Sequence, residues 1–280
     1  MRQLLRADTV ACETEAKDDP FRYGWRYVRR TQPDGTEVVD QVPLSLDDLL
    51  YPEEGDFVVQ EPIHLRDFLY CHSTLETFYA AQSDVVVLGD CRVDWGVAGV
   101  RPLGPDIVVF FDVQQWLRRG TFHLAEEGGR PVLVVEVASP STRGHDLGIK
   151  LDLYHRVGVS KYVIVDRGPQ GDAPVRLLGY QRHLTGWEPL PLDAHGRLDL
   201  APVGLLLGLE ADQLWLYDAS TGAREPDRTE WRQALADAET RAHDAEDRAH
   251  TEAQARAALA ERLRVVEAQL QRQQGEEDSK

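Results

Sequence analysis

Along most of this chain short apolar runs alternate with helical stripes, and their order is that of an α/β (α+β) domain. Phe21, Tyr23, Trp25 and Tyr27 alternate with Arg22, Gly24 and Arg26, the period of a half-buried strand. Pro33, Asp34 and Gly35 then supply turn chemistry before Thr36 to Val42, so an N-terminal β-hairpin is expected. Ser45 caps a short helix that breaks at Pro52 to Gly55. From Glu61 to Ala81, Leu65, Phe68, Leu69, His72, Leu75 and Tyr79 recur at three- and four-residue steps, which predicts a helix with His72 on its buried stripe as a core histidine.

Strands are expected at Val85–Gly89, at Cys91–Trp95, after Pro105-Asp106 and over Pro131–Ser139, with a loop at Glu126–Gly129. Ser139–Gly144 reads as a turn, and Asp146–Val157 as one helix closed by Gly158. Lys161–Asp166 is then a buried strand, returned parallel to the Glu136 strand by a right-handed crossover. The runs from Val175 to Tyr217 suggest an antiparallel extension of the same sheet.

The tail has a different period. From Trp231, positions Leu235, Ala238, Ala242, Ala245 and Ala249 alternate steps of four and three, and the register returns at Leu259, Leu263, Val266 and Leu270. This is a coiled-coil seam, with Glu252 and Arg256 on it between the two apolar halves. It predicts a helix over 225–272 that could join two copies of the chain, with a solitary solvated helix as the alternative.

Charge narrows the choice of partners. With 48 Asp and Glu against 31 Lys and Arg, the net charge of −17 argues against a broad nucleic-acid-binding face, so any contact with DNA must be local. Three cysteines, Cys12, Cys71 and Cys91, lack paired spacing, and reduced thiols are expected. Cys71, His72 and Cys91 have no fourth ligand at the spacing of a zinc site. No run approaches the roughly 18 apolar residues of a membrane span, and the expected location is cytoplasmic.

Candidate chemistry centres on Glu136, an acid between Val135 and Val137 in a strand too apolar to solvate it. Asp106 opens another apolar run, and two carboxylates on neighbouring strands could share one divalent ion through hard oxygen ligands. In the simplest such site a lysine stands two residues after the glutamate on the same strand face, but that position is Ala138. Lys150, on the following helix, is the nearest basic candidate. Each residue also has a structural reading: Asp106 as a turn residue, Glu136 in a buried ion pair, Lys150 in a helical pair with Asp146.

Pro105-Asp106, the run from Val134 through Glu136 to Thr142, then Asp146, Lys150, Tyr154 and Gly158–Asp166, resemble the Uma-two family of restriction endonucleases within the PD-(D/E)XK nuclease superfamily. The aromatic hairpin, the segment from Val42 and the run Pro52–Asp56 extend the resemblance over about Phe21–Thr221. It implies a restriction-endonuclease-like mixed central sheet flanked by helices over 21–224; the chain's own pattern adds a flexible stretch at 1–20 before it and a disordered tail at 273–280 after the coiled-coil helix. It also implies Mg²⁺-dependent cleavage of DNA, with Mn²⁺ as a substitute. Asp106 and Glu136 would be the metal carboxylates, Lys150 would take over the missing lysine's work, and Asp146, Ser139 and Tyr154 would support them. The alternatives are a non-catalytic nuclease-like scaffold that dimerises or recruits a partner through its coiled coil, and a metal hydrolase acting on another phosphoester.

Overall fold

A computed structural model describes residues 19–168 and 174–277, with side chains to residue 268. Cys12, the rest of the stretch expected to be flexible up to residue 18, and 278–280 lie outside the described residues. The chain divides into two compact units, Met1–Glu225 and Pro226–Lys280.

The first unit opens with the expected hairpin, β1 (Gly24–Thr31) antiparallel to β2 (Glu37–Pro43). Ser45 and Asp48 form a reciprocal cap on α1 (Leu46–Leu50), and β3 (Phe57–Val58) pairs with the free side of β1. There follow α2 (Pro62–Phe78), β4 (Val86–Gly89), β5 (Arg92–Asp94), β6 (Ile107–Val113), β7 (Thr121–His123), α3 (Leu124–Glu127) and β8 (Gly128–Ala138). The expected loop at Glu126–Gly129 is instead the end of α3 and the start of β8. Burial of Glu127 accounts for it, because the carboxylate accepts hydrogen bonds from the amides of Leu117 (2.8 Å) and His123 (3.1 Å) and ties the segment down.

A short helix, α4 (Arg143–Asp146), begins inside the expected turn, and the helix expected over Asp146–Val157 is narrowed to α5 (Ile149–Arg156). Gly148 sits at the break, and a side chain there would come within 2.8 Å of the Gly144 carbonyl oxygen. Beyond it lie β9 (Lys161–Asp166), β10 (Arg176–His183), β11 (Gly186–Pro189), β12 (Leu198–Asp199), β13 (Leu205–Glu210) and β14 (Gln213–Asp218).

The central sheet has the order β11-β10-β9-β8-β6-β4. β8 and β9 are parallel, as the crossover requires, and their neighbours are antiparallel. The expected extension is correct for β10 and β11 only. β12, β13 and β14 form a separate three-stranded sheet, since Leu205, Leu207, Leu214 and Leu216 turn one face into the core shared with α2 and the odd-numbered positions of β8. Val134 and Ala138 of β8 belong to a second core built with α5, β5 and β7. The result is a mixed sheet flanked by helices, with an N-terminal hairpin and a long C-terminal helix.

Helix α2 is rotated from its expected setting. Leu65 and Leu69 are exposed, while Asp67, Cys71, Thr74 and Leu75 are buried. Asp67 drives the rotation by pairing with Arg66 (2.8 Å) and, across the core, with Arg167 just after β9 (Nε to Oδ2, 3.0 Å). His72 keeps a structural place, stacked on Phe68 against Gly89, where a Cβ would collide with its ring at 2.4 Å.

The second unit is α6 (Arg228–Glu277), a helix that runs five residues past its expected end at 272. No helix among the described residues is long and apolar enough to cross a membrane.

Because Arg167 is almost fully buried, removing its partner strands a charge in the core. Asp67→Ala should lower the unfolding free energy by about 3 kcal/mol in urea denaturation, and a loss below about 1 kcal/mol would show that the pair does not hold α2 in place.

Candidate active site

Strand register builds the site. Pairing of Ile107 with Val135 leaves Asp106, just ahead of β6, beside Glu136 on β8. The Asp106 amide points at Glu136 Oε2 (3.4 Å), and Asp106 Oδ2 accepts a hydrogen bond from the Val137 amide (2.7 Å). Each acid is thus fixed partly by the backbone of the other's strand.

Glu136 is buried, and protein donors meet both of its oxygens. Tyr154 on α5 donates to Oε1 (2.5 Å), and Lys150 Nζ lies 2.9 Å from Oε2. Lys150 also reaches Asp146 Oδ1 (2.8 Å), four residues earlier across the Gly148 break. Asp146 takes a further hydrogen bond from Thr142 Oγ1 (3.1 Å), and its backbone carbonyl accepts from Tyr162 of β9 (3.0 Å). The pair of Lys150 with Asp146 is therefore buried, not the exposed helical pair that its spacing allows. Ser139 hydrogen-bonds Ser141 (2.9 Å) and Thr142 (3.0 Å), which ties it to Asp146 at one remove. Ala138 lies on the Glu136 face of β8 and is buried against the α5 side.

Three acids around one lysine leave an excess of negative charge in a dry place. Burial raises the pKa of Asp106 to about 7; Lys150 opposes the rise and Asp146 adds to it. Burial likewise raises Glu136 to about 8, against Lys150 and with Asp106 and Asp146. For Lys150, burial disfavours the ammonium, but Asp146, Glu136 and Asp106 outweigh it and hold the pKa above its ordinary value. Burial also keeps the phenols of Tyr154 and Tyr162 far from ionising.

A cleft of about 160 Å³ opens onto this group, lined by Asp106, Glu136, Lys150, Ser139 and Thr142, with Arg22 and Tyr23 from the N-terminal segment and Asp90 from the end of β4. Arg22 stacks over Tyr23 at 4.6 Å. Arg143 takes no place in the lining, because Asp166 holds it through Nε (2.7 Å) and Nη2 (3.1 Å).

His64, which the sequence did not single out, also lines the cleft. Its Nδ1 is 2.8 Å from the Val137 carbonyl, which can only accept, so Nδ1 carries the proton; Nε2 lies 3.7 Å from Asp106 Oδ1. The signal was present but polar: His64, Asp67, Cys71, Thr74 and Phe78 follow helical spacing, and the charge on Asp67 hid the stripe.

The donors fit a hard divalent cation. Asp106 and Glu136 offer carboxylate oxygens whose charge the protein alone leaves undercompensated, and Mg²⁺ takes one or two carboxylates while keeping water and substrate oxygens. Among the described residues no group of three or more His, Cys, Asp and Glu is gathered to hold a metal, so Cys71, His72 and Cys91 form no zinc set. Cys71 and Cys91 are free thiols.

Known proteins supply a family. Comparison with curated proteins finds no match. Among solved structures, the chain is similar to a crystal structure described as "a putative nuclease belonging to DUF820" from Anabaena variabilis, at 16% identity over 53% of this chain and 84% of that chain, with a TM-score of 0.37. The sequence model of the Uma2 family, described as "Putative restriction endonuclease", matches residues 54–213, a span that contains Asp106, Glu136, Asp146 and Lys150. The chain therefore belongs to the Uma2 family.

Proposed function

We propose that this protein is a Mg²⁺-dependent DNA endonuclease that hydrolyses phosphodiester bonds, with Mn²⁺ able to substitute. The observation that carries the reading is the meeting of Asp106, Glu136 and Lys150, from two strands and a helix, at one wall of a cleft. A divalent cation bound by the two carboxylates supplies positive charge to the phosphoryl group and makes water easier to deprotonate.

The chain's own groups divide the remaining work. Asp106 and Glu136 hold the cation, and the Val137 amide and Tyr154 hydroxyl orient them. Lys150 keeps its proton, so it acts as a donor and not as a base: it holds the attacking water or a phosphate oxygen and balances charge in the pentavalent transition state. Asp146 fixes the ammonium from behind. His64, with Nδ1–H committed to Val137, presents Nε2 beside Asp106 as a proton acceptor. Contact with DNA is local, because the acidic chain gains little from counterion release.

One observation favours a non-catalytic scaffold: the buried pairing of Glu136 with both Lys150 and Tyr154, next to Ala138, satisfies the carboxylate without any metal. Cation binding separates the two readings. Titration calorimetry should show Mg²⁺ and Mn²⁺ binding to the wild type and none to the Asp106→Asn, Glu136→Gln double variant, with plasmid nicking lost in parallel. A folded wild type that binds neither ion would leave the scaffold reading.

Lys150→Met should cut nicking by about a hundredfold or more while cation binding persists; unchanged nicking would remove Lys150 from the chemistry. The raised carboxylates also predict a pH dependence without metal. From the ordinary carboxylate range up to about pH 7–8 the folded state holds protons that the unfolded chain has released. The stability this provides is complete below about pH 4 and lost as pH rises through about 7–8. Thermal melts should show a wild-type Tm falling more steeply over that range than the double variant's, and parallel slopes would contradict the assigned shifts.

A further inference from the structure

Trp231, Leu235, Leu259, Leu263 and Val266 are each half exposed or more, and they lie along one seam of α6 with four alanines between Ala238 and Ala249 on the same line. From residue 234 onward the charges directly flanking that seam are sorted by side, Arg232 at the start of the helix being the exception. Arg241, Arg248 and Arg262 each come one residue before a seam position, on one flank; Glu239, Glu246 and Glu267 each come one residue after a seam position, on the other.

We infer that α6 pairs with α6 of a second copy of this chain as a parallel, in-register, two-stranded coiled coil. In a parallel pair each residue of the first flank meets the partner residue five positions further along on the opposite flank. Arg241 then faces the partner's Glu246, and Arg262 faces the partner's Glu267; with the symmetric contacts this makes four attractive pairs. An antiparallel pair sets like flanks together, so between 234 and 269 it gains no arginine–glutamate contact in any register, and Arg232 alone could meet a glutamate. A parallel slip of one heptad keeps opposite charges on one side only and sets leucine layers against alanine layers.

In this register Glu252 meets the partner's Glu252 and Arg256 the partner's Arg256, so the polar break is the layer where the pairing is weakest. Arg256 Nη2 lies 3.7 Å from Glu252 Oε2 in the same helix, so each helix brings a neutral pair to the interface. Two strands leave room for those side chains to reach solvent, which the closed core of three or four strands would not. The pairing concerns α6 alone and stands apart from the chemistry proposed for the cleft.

The test uses the full chain carrying a single added thiol, Ala238→Cys or Val266→Cys, with the parent chain as control for its native thiols. Light scattering should give twice the chain mass for all three proteins. Under mild oxidation each variant should crosslink to itself, and a mixture should yield little of the mixed 238–266 product. A monomer, a trimer or a tetramer in solution would overturn the inference, as would crosslinking dominated by the mixed product. Reversing Glu246→Arg and Glu267→Arg together should raise the dimer dissociation constant by about tenfold or more, and an unchanged constant would refute the role given to the flanking charges.

Discussion

A carboxylate in the middle of a sheet has no water to lean on, and the surroundings of Glu136 are arranged around that fact. Its strand is buried over eight consecutive residues, Pro131–Ala138, because β6 and β9 cover its edges and a core lies on each face. An ion there is tolerable only with donors aimed at it, which the molecule provides from a helix (Lys150 and Tyr154) and, at longer range, from the Asp106 amide. Asp146, Thr142 and Tyr162 follow as the next layer, needed because a lysine brought into a dry space requires fixing too. The sheet supplies rigidity, and the α4–α5 segment supplies charge.

Much of this was legible in the sequence, for definite reasons. A glutamate among valines announces a buried ion whatever its purpose, and the parallel return to Lys161–Asp166 follows from a strand, a helix and a second apolar strand in succession. The four-residue step from Asp146 to Lys150 survives the Gly148 break, so periodicity placed that pair correctly even though it assumed one continuous helix. Two things were hidden. Alternating leucines in β13 and β14 report which face is buried but not which sheet owns the strand, so a separate sheet read as an extension. Hydrophobicity also could not find the true inner face of α2, because one of its members is Asp67, held by arginines distant or adjacent in sequence; His64 was lost with that face.

The two units obey different rules. The cleft is lined by residues of the first unit alone, where positions are specified by close packing and by hydrogen bonds between elements far apart in sequence. In α6 the information is one-dimensional: a step length and the sign of a flank. An alanine-rich composition suffices there and would fail in β8 or β9, whose side chains must fill two cores at once.

Ala138 gains a meaning from this geometry. A lysine at 138 would project from the same face of β8 as Glu136, into the second core in which Ala138 is already buried. Charge does not forbid it, since three acids there share one lysine. What holds position 138 to a small neutral side chain is therefore packing: the second core is already filled around Ala138, and a longer chain would have to displace its neighbours.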